Sequence, residues 1–502
     1  MSPILSRLMS SSLGWDGGTG AWSRGQGQML RCGPEFTGIL RPIPGGRRHR
    51  SSVPQCIVLS LFPSMPRNTV SFVHKMLFLG LMAAVFVLPI PHTITLRLLL
   101  LLVLAACTIS RWPGLLRTMW AGALRFPSMA LLALTAWIVV ENLAFALHPE
   151  ESWRAFASDW LRFLTLLMLG AGLADRLGDS QARRGLTVVF AALLAHWLWQ
   201  LGYQAWLAYQ GSALVLGLTP FADRDTQSTL VTFGMALSIA DLAARRFARP
   251  GLFPWREGLS WLLFALGLVA TILLKTRNGT ATVALMLLAA FVLWANHRIR
   301  SRRKFLAVCA AGLALSGALM AASVATDSRW RGLADTVAFS LDTEGNRYWL
   351  NTRNEQTVFP PLPSGQMVEE SAYMRIAWAK VAVELIGEHP WGVGFGHRAF
   401  GWAVHEKYPE ALDMGSCHSG LLDFTLGNGI PGIALWLLFS GLLMRVGLRR
   451  FKTTGDASGL ALALFVFGNL ARCAVDGHIS GWRFELFGLM TGMLLLPKAR
   501  QV

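Results

Sequence analysis

The chain has 502 residues, of which 53% are hydrophobic and only 15% are charged, and its formal net charge is +18. A soluble chain carries about 25% charged residues, so this composition excludes an ordinary soluble enzyme. The same numbers exclude collagen-like, disulfide-framework and disordered chains. The Arg residues stand at the ends of apolar blocks. That is the pattern of membrane topology, and it argues against nucleic acid as a partner.

Residues 1–68 form a segment that is rich in Gly, Pro, Ser and Arg and lacks an apolar run long enough to span a membrane. We interpret it as a basic, disordered N-terminal tail. A mis-called start is compatible with the same composition, and the true start would then be Met65 or Met76. The alternative is a basic arm that binds anionic lipid.

From Phe72 onward the apolar residues come in blocks of roughly 14 to 25, which predicts helices solvated by lipid. The expected fold class is all-α: a polytopic integral membrane protein with about twelve transmembrane helices. Nine spans fall within residues 69–325 and three within 419–502. The approximate cores of the predicted spans are 76–90, 95–110, 127–147, 160–175, 186–208, 229–244, 258–274, 281–296, 305–325, 420–444, 458–474 and 484–497.

Lys and Arg concentrate in every second short loop, as in 245–256 and 298–304. The positive-inside rule places these loops in the cytoplasm, and an even number of spans places both termini there too. The long connection 326–418, between spans nine and ten, then faces outside, and loops of this length are usually functional. Cys417 and Cys473 would both lie near the outer face, and the sequence leaves open whether they pair.

This large loop contains a predicted helix over 371–388, which could lie on the membrane surface or on the helical bundle. Its apolar stripe consists of Met374, Ala377, Trp378, Val381 and Leu385. Pro390 ends the helix. The following Gly392-Val-Gly-Phe-Gly396 predicts a tight turn rather than a dinucleotide fingerprint, because no strand precedes it.

Three side chains at outer helix ends are candidates for chemistry. Arg277 lies in a turn between spans seven and eight, and it fits an anion ligand as well as an arginine that snorkels to lipid phosphate. Arg375 opens the loop helix, where a solvated charge is the plain alternative. With Ser416 as a helix cap, His418 would stand in the first helical turn. There the helix dipole favours the neutral imidazole that a general base needs, and an interfacial histidine without a role is the alternative.

Other polar residues suggest further sites. Asp223-Arg-Asp225 resembles the metal-binding Asp-x-Asp of enzymes that use nucleotide sugars. It lies on the outer side, where nucleotide sugars are absent, so we interpret it as a loop. Glu141 in the third span is a candidate lining residue of a cavity, as is the group of Asp476, His478 and Arg483 before the last span. None of these is predicted to be catalytic.

The order of the motifs resembles a known family. Arg375-Ile-Ala-Trp378 is followed by His389-Pro-Trp-Gly-Val-Gly-Phe-Gly396, then by His418-Ser-Gly-Leu-Leu422 and by Gly427-Asn-Gly-Ile-Pro-Gly432 at the entry to an apolar span. Over residues 270–445 this order is similar to the signature region of the O-antigen ligase and polymerase superfamily. Its members are polytopic enzymes that take glycans from undecaprenyl pyrophosphate at the periplasmic face.

The resemblance implies roles for three residues. The family's arginine between two central spans falls on Arg277, its loop arginine on Arg375, and its histidine on His418. Both arginines would bind the diphosphate, His418 would be the catalytic base, and neither a metal nor a cofactor is implied. The sequence departs from many members at Ser419, where they have Asn, and at Asn428, near which an acidic residue often stands. These departures leave the orientation of the base open.

The function favoured by this resemblance is O-antigen ligase. It would transfer undecaprenyl-pyrophosphate-linked O-polysaccharide to the lipid A-core oligosaccharide by a metal-independent, inverting mechanism, at the periplasmic side of the bacterial inner membrane. O-antigen polymerase and an O-linked protein oligosaccharyltransferase are alternatives from the same superfamily. A polytopic transporter or lipid flippase is the alternative from another class, and it predicts broken helices and often an internal repeat. The implied partners are the lipid-linked donor, the lipid A-core acceptor and membrane lipids.

Overall fold

The computed structural model describes residues 67–495, except for 212–218, 220, 248, 327–329, 331–332, 352–358, 363–364, 413 and 476–478. Residues 1–66, which make up nearly all of the predicted tail, lie outside the described residues, and so do Asp476 and His478. Residues Met65–Val502 form one compact unit. All the secondary-structure elements that have defined bounds in the described part of the chain are helices, which confirms the all-α class.

The helices in chain order are α1 (Arg67–Val87), α2 (Ile94–Thr108), α3 (Trp112–Met119), α4 (Arg125–Ala144), α5 (Pro149–Ala155), α6 (Leu161–Tyr209), α7 (Arg224–Arg246), α8 (Glu257–Leu273), α9 (Arg277–Arg298), α10 (Arg302–Thr326), α11 (Leu333–Leu341), α12 (Glu370–Glu388), α13 (Ala399–Lys407), α14 (Gly420–Thr454), α15 (Ala457–Cys473) and α16 (Gly481–Leu495). Eight helical segments in the described part of the chain are long and apolar enough to cross a membrane, and three shorter apolar helices accompany them. Each of the twelve predicted spans coincides with a helix, and α6 supplies two of them on either side of a kink at Gly178.

The helices divide into central and peripheral ones according to how much of their surface is buried. The apolar window of α7 is 94% buried, whereas those of α2 and α10 are only 11% and 17% buried. The peripheral helices expose large apolar side chains, which include Leu99, Leu102 and Leu313. Such an exposed apolar band is stable in lipid and costly in water, so these helices are suited to face the membrane.

Close contact between α6 and α16 depends on glycines. A Cβ atom at Gly492 would lie 2.1 Å from the carbonyl oxygen of Leu167, and one at Gly170 would lie 2.1 Å from that of Leu489. Gly488 precedes Gly492 by four residues and meets α6 in the same way. Small residues at this spacing let two helix backbones approach closely, which is a common way to join helices in a membrane.

The long connection between α10 and α14 folds into a helical subdomain with its own apolar core. Its core contains Trp349, Tyr373, Val381 and Phe400, which come from α12, α13 and a short 3₁₀ turn. The Tyr373 hydroxyl donates a hydrogen bond to the carbonyl oxygen of Asn346. Burial raises the pKa of Tyr373 to about 12, so this phenol stays protonated and keeps donating. The predicted helix over 371–388 is confirmed as α12, and it packs on this core and on α14.

The Gly-rich turn after α12 docks onto an interruption of α14. The interruption lies at Gly429, whose φ of 69° and ψ of 178° are not helical. The amide of Ile430 donates to the carbonyl oxygen of Pro390 at 2.8 Å, and the amide of Val393 donates to that of Leu426 at 3.0 Å. Backbone groups that the interruption releases from the helix are therefore satisfied by the turn, which a helix inside a membrane protein requires.

Gly429→Ala is expected to destabilise the protein by at least about 2 kcal/mol, because an L residue is strained at this φ. The added Cβ would also lie 2.4 Å from the carbonyl carbon of Trp391. The measurement is the midpoint of thermal aggregation of the detergent-solubilised protein. Gly441→Ala is the matched control, because it lies on the same helix and its Cβ would meet nothing within 4 Å. Equal midpoints for the two variants would contradict this account of the turn.

Candidate active site

The site lies at the N-terminus of α14. The predicted cap at Ser416 is wrong: α14 begins at Gly420, and the Ser419 hydroxyl caps it by accepting the amide hydrogen of Leu422 at 3.4 Å. The Ser419 hydroxyl also donates to the carbonyl oxygen of Ala474 at 2.9 Å, which ties the helix end to the end of α15. His418 therefore precedes the helix instead of standing in its first turn.

His418 has a left-handed backbone, with φ of 59°. Histidine is among the non-glycine residues that tolerate this region, and such conformations cluster at functional sites. The turn is held on both sides, because the Asp423 carboxylate accepts the amide hydrogen of Cys417 at 2.9 Å and the Ser416 hydroxyl accepts that of His418 at 3.4 Å. The imidazole stacks on the indole of Trp378, with ring centroids 5.4 Å apart.

Arg277 begins α9 and reaches the loop subdomain. Its guanidinium lies 3.2 Å from the carboxylate of Glu369, which also caps α12 by accepting the amide hydrogen of Ala372 at 2.7 Å. It also lies over the ring of Trp330, 5.3 Å from the centroid. These contacts hold the planar guanidinium in a fixed orientation between the membrane bundle and α12.

Arg375 stands one helical turn before Trp378 on α12, so the two side chains share a face. Unlike Arg277, it makes no hydrogen bond or ion pair with any residue that the structure describes. Both arginines line a polar pocket of about 170 Å³, together with Arg224, Lys275 and neighbouring residues of α9 and α12. We call this space the arginine pocket. The pocket has four cationic side chains and one carboxylate, that of Asp225, and this balance favours an anionic ligand.

A larger cavity of about 870 Å³ brings the three predicted site residues together. Arg277, Arg375 and His418 all line it, and we call it the central cavity. It shares Arg277 and Arg375 with the arginine pocket, so the two spaces meet at these residues. The remaining walls are mostly apolar and include Ile376, Leu422, Ala281 of α9, and Ala474 and Val475, which follow α15. The site thus combines an anion-binding end, a titratable imidazole and an apolar wall.

A buried arginine near the site was missed by the sequence reasoning. Arg472 is 1% exposed and lies 2.8 Å from the carboxylate of Asp225, which also pairs with Arg483. It donates to the Ser228 hydroxyl at 2.9 Å as well. Arg472 lies inside the predicted span 458–474, and an ionisable residue within an apolar span is a signal that could have found it. The cluster anchors α7 to α15 and α16, and its carboxylate, that of Asp225, lines the arginine pocket.

Several other candidates have structural roles. Asp223 caps α7 by accepting the amide hydrogen of Thr226 at 2.7 Å. Glu141 was predicted to line a cavity. In the structure it is fully buried and lines neither the central cavity nor the arginine pocket. Cys417 and Cys473 are buried and are not joined by a disulfide. Burial raises the pKa of the Cys417 thiol well above its ordinary value, so it is not a nucleophile at neutral pH.

The arrangement can stabilise a diphosphate and accept a proton next to it. Arginine recognises phosphate oxygens with a planar, bidentate fork and stays charged at any relevant pH. The imidazole of His418 lines the central cavity with the two arginines, and imidazole is the side chain that most often acts as a general base. The apolar wall suits a lipid chain attached to the diphosphate.

Residues 262–437 match the family described as O-antigen ligase. For this segment, the match confirms the superfamily predicted from the order of the motifs, the O-antigen ligases and polymerases, which are membrane glycosyltransferase-like enzymes. The segment contains α9, α12 and the N-terminal half of α14, and therefore all three predicted site residues. No curated protein matches the chain significantly.

Proposed function

We propose that this protein is an O-antigen ligase, which transfers O-polysaccharide from undecaprenyl pyrophosphate to the lipid A-core oligosaccharide at the periplasmic face of the bacterial inner membrane. The observation that carries the proposal is the meeting of Arg277, Arg375 and His418 at one cavity within the segment that matches the family. The three residues come from α9, α12 and the turn before α14.

In this proposal, the diphosphate of the donor lies in the arginine pocket, between Arg277 and Arg375. When the bond between the anomeric carbon and the diphosphate oxygen breaks, its electron pair moves to the diphosphate. Two guanidinium groups that are already in place stabilise this growing negative charge, which is the largest single contribution in many enzymes. They supply the positive charge that other transferases take from a divalent cation. The apolar wall of the central cavity receives the polyprenyl chain.

His418 is the proposed general base. Its imidazole takes the proton of the acceptor hydroxyl while the hydroxyl oxygen attacks the anomeric carbon on the side opposite to the diphosphate. The products are the glycosylated acceptor, with the opposite anomeric configuration, and undecaprenyl diphosphate. The stack on Trp378 helps to hold the imidazole in one orientation.

Two groups of alternatives remain as outcomes of experiment. An O-antigen polymerase would use the same three residues with a second lipid-linked glycan as acceptor, and an O-linked protein oligosaccharyltransferase would use a protein. A transporter predicts helices that are broken around a substrate. The described interruption of α14 at Gly429 is instead filled by the turn of residues 390–393. The family match favours the transferases.

The experiment that tests the proposal uses a strain from which the gene is deleted, complemented with wild type or with His418→Ala. Its lipopolysaccharide is separated on a gel beside its pool of undecaprenyl-linked glycan. For a ligase, the deletion strain loses the polymer ladder on lipid A, and long polymer accumulates on the carrier. Lipopolysaccharide that carries one repeat unit would instead identify a polymerase. An unchanged ladder in the deletion strain would contradict both functions.

A further inference from the structure

A second polar pocket lies behind the His418 turn and has no role in the mechanism above. It has a volume of about 170 Å³. Its polar lining consists of Asp159, His397, Ser416, Asp423, Asn428 and Ser480. The rings of Phe395 and Phe424 supply apolar walls. We call this space the rear pocket.

The N-terminus of α14 separates the rear pocket from the central cavity. Ser419 and Leu422 line the central cavity, whereas Gly420, Asp423, Phe424 and Asn428 line the rear pocket. At about 100° per residue these two sets occupy adjoining faces of the helix. Neither α9 nor α12, the helices that carry the two arginines, contributes to the lining of the rear pocket. The two pockets therefore flank the His418 turn, with the arginines on one side only.

The rear pocket presents hydrogen-bond acceptors that have spare capacity. Asn428 is 1% exposed; its Nδ2 donates to the carbonyl oxygen of Phe424 at 3.0 Å, and its Oδ1 accepts no hydrogen bond from any described residue. A buried acceptor without a donor is unfavourable, so a ligand that brings a donor gains from binding here. Asp159 uses one carboxylate oxygen for the amide of Gly481 at 3.1 Å. It stands in a π-helical turn, Phe156–Trp160, a feature that is frequent at functional sites.

The chemistry of the lining selects a class of ligand. The described lining of the rear pocket contains no arginine or lysine, so a phosphate belongs in the arginine pocket and not here. The carboxylate, amide and hydroxyl oxygens of the lining accept hydrogen bonds. A neutral ligand with several hydroxyl groups can donate to them. The two phenylalanine rings suit its C–H surfaces. A monosaccharide unit has both properties, and its size is appropriate to a pocket of about 170 Å³.

We propose that the rear pocket binds a sugar residue of the acceptor oligosaccharide other than the residue that is glycosylated, because His418 lines the central cavity and not this pocket. This inference rests on the proposed function, because it requires that the acceptor is a glycan. No described residue of α9 or α12 lines the rear pocket, so it lies apart from the two arginines proposed to hold the donor diphosphate. This separation favours the acceptor glycan as its occupant.

The test combines kinetics with a direct measurement of binding, using the purified full chain in nanodiscs. Asn428→Ala and Asp159→Asn are expected to raise KM for lipid A-core by about tenfold each, which corresponds to one lost hydrogen bond to a polar group. KM for the lipid-linked donor stays unchanged. Asn469→Ala is the matched control, because Asn469 is also a buried helical asparagine and lines neither pocket. Asp159→Asn keeps an oxygen that can accept the Gly481 amide hydrogen. It therefore still tests the site if Asn428→Ala lowers the yield of folded protein.

Binding is measured with free core oligosaccharide on immobilised protein, which requires no turnover. Both variants are expected to bind it about tenfold more weakly than wild type and His418→Ala do. A rise in KM for the donor, or unchanged binding of the oligosaccharide in both variants, would overturn the assignment of this pocket. Wild type that binds the oligosaccharide without transferring glycan would overturn the proposed ligase function and leave the sugar site standing.

Discussion

His418→Ala is expected to lower the rate of glycan transfer by about 10²–10⁴-fold, the usual contribution of a general base. The proposed proton transfer has no other titratable acceptor on the His418 turn, since burial keeps the neighbouring Cys417 thiol protonated. The measurement is single-turnover transfer from a purified lipid-linked donor to lipid A-core. Donor binding should change little, because the two arginines that hold the diphosphate remain.

Two further variants separate the loss of the base from the loss of backbone conformation. His418→Asn removes the base and retains a residue type that tolerates the left-handed region, so it should be as inactive as His418→Ala. His92→Ala makes the same change at another exposed histidine with a left-handed backbone, φ 60°, and it should transfer glycan at the wild-type rate. Substantial activity in His418→Asn would show that the imidazole is not the base.

Arg375→Ala is expected to lower kcat by about 10²–10³-fold, the usual cost of removing one group that stabilises a developing oxyanion. Its guanidinium makes no ion pair with any residue of the described chain, so its positive charge is available to the leaving diphosphate. Arg375→Lys retains the charge and loses the planar fork, so an intermediate loss of about tenfold is expected. The measurement is the same single-turnover assay, at saturating donor and acceptor.

A matched control for Arg375 lies in the same subdomain. Arg347 is an exposed arginine that pairs with Glu410 at 3.1 Å and lines neither the central cavity nor the arginine pocket. Arg347→Ala should leave kcat unchanged, because an exposed ion pair contributes only about 0–1 kcal/mol and lies outside the site. Equal kcat values in Arg375→Ala and wild type would remove Arg375 from the proposed mechanism. Restoration of full activity in Arg375→Lys would limit its role to that of a point charge.

The all-α class and the helices that overlap the predicted spans could be read from the sequence, because a helix in lipid needs an uninterrupted apolar stretch of fixed minimum length. Eight segments of the described chain meet that length and apolarity. The loop helix was also readable. Its apolar stripe repeats at helical spacing. The helix ends at Glu388, two residues before Pro390, which cannot continue it. The family segment could be identified from short motifs in a constant order, and the match to residues 262–437 confirms it.

The start of α14 could not be read correctly, because two serines compete for the cap and local sequence does not distinguish them. Ser419 caps the helix in the structure, and its hydroxyl also bonds to Ala474, more than fifty residues along the chain. The Asp423 carboxylate adds a second constraint by holding the Cys417 amide. The choice is therefore made by contacts between α14 and α15, together with the next helical turn.

By itself the sequence determined which segments are helices in lipid and which residue types are available for chemistry at their ends, since both depend on local composition and spacing. Only the tertiary structure decided that Arg277, Arg375 and His418 line one cavity, that the buried Arg472 pairs with the partly exposed Asp225, and that Glu141 lies apart from the cavity. The physical reason is that each of these arrangements depends on which helix faces pack together. That choice is set by close approach at residues such as Gly170, by long-range hydrogen bonds and by buried charges that must be paired, none of which leaves a periodic signal along the chain.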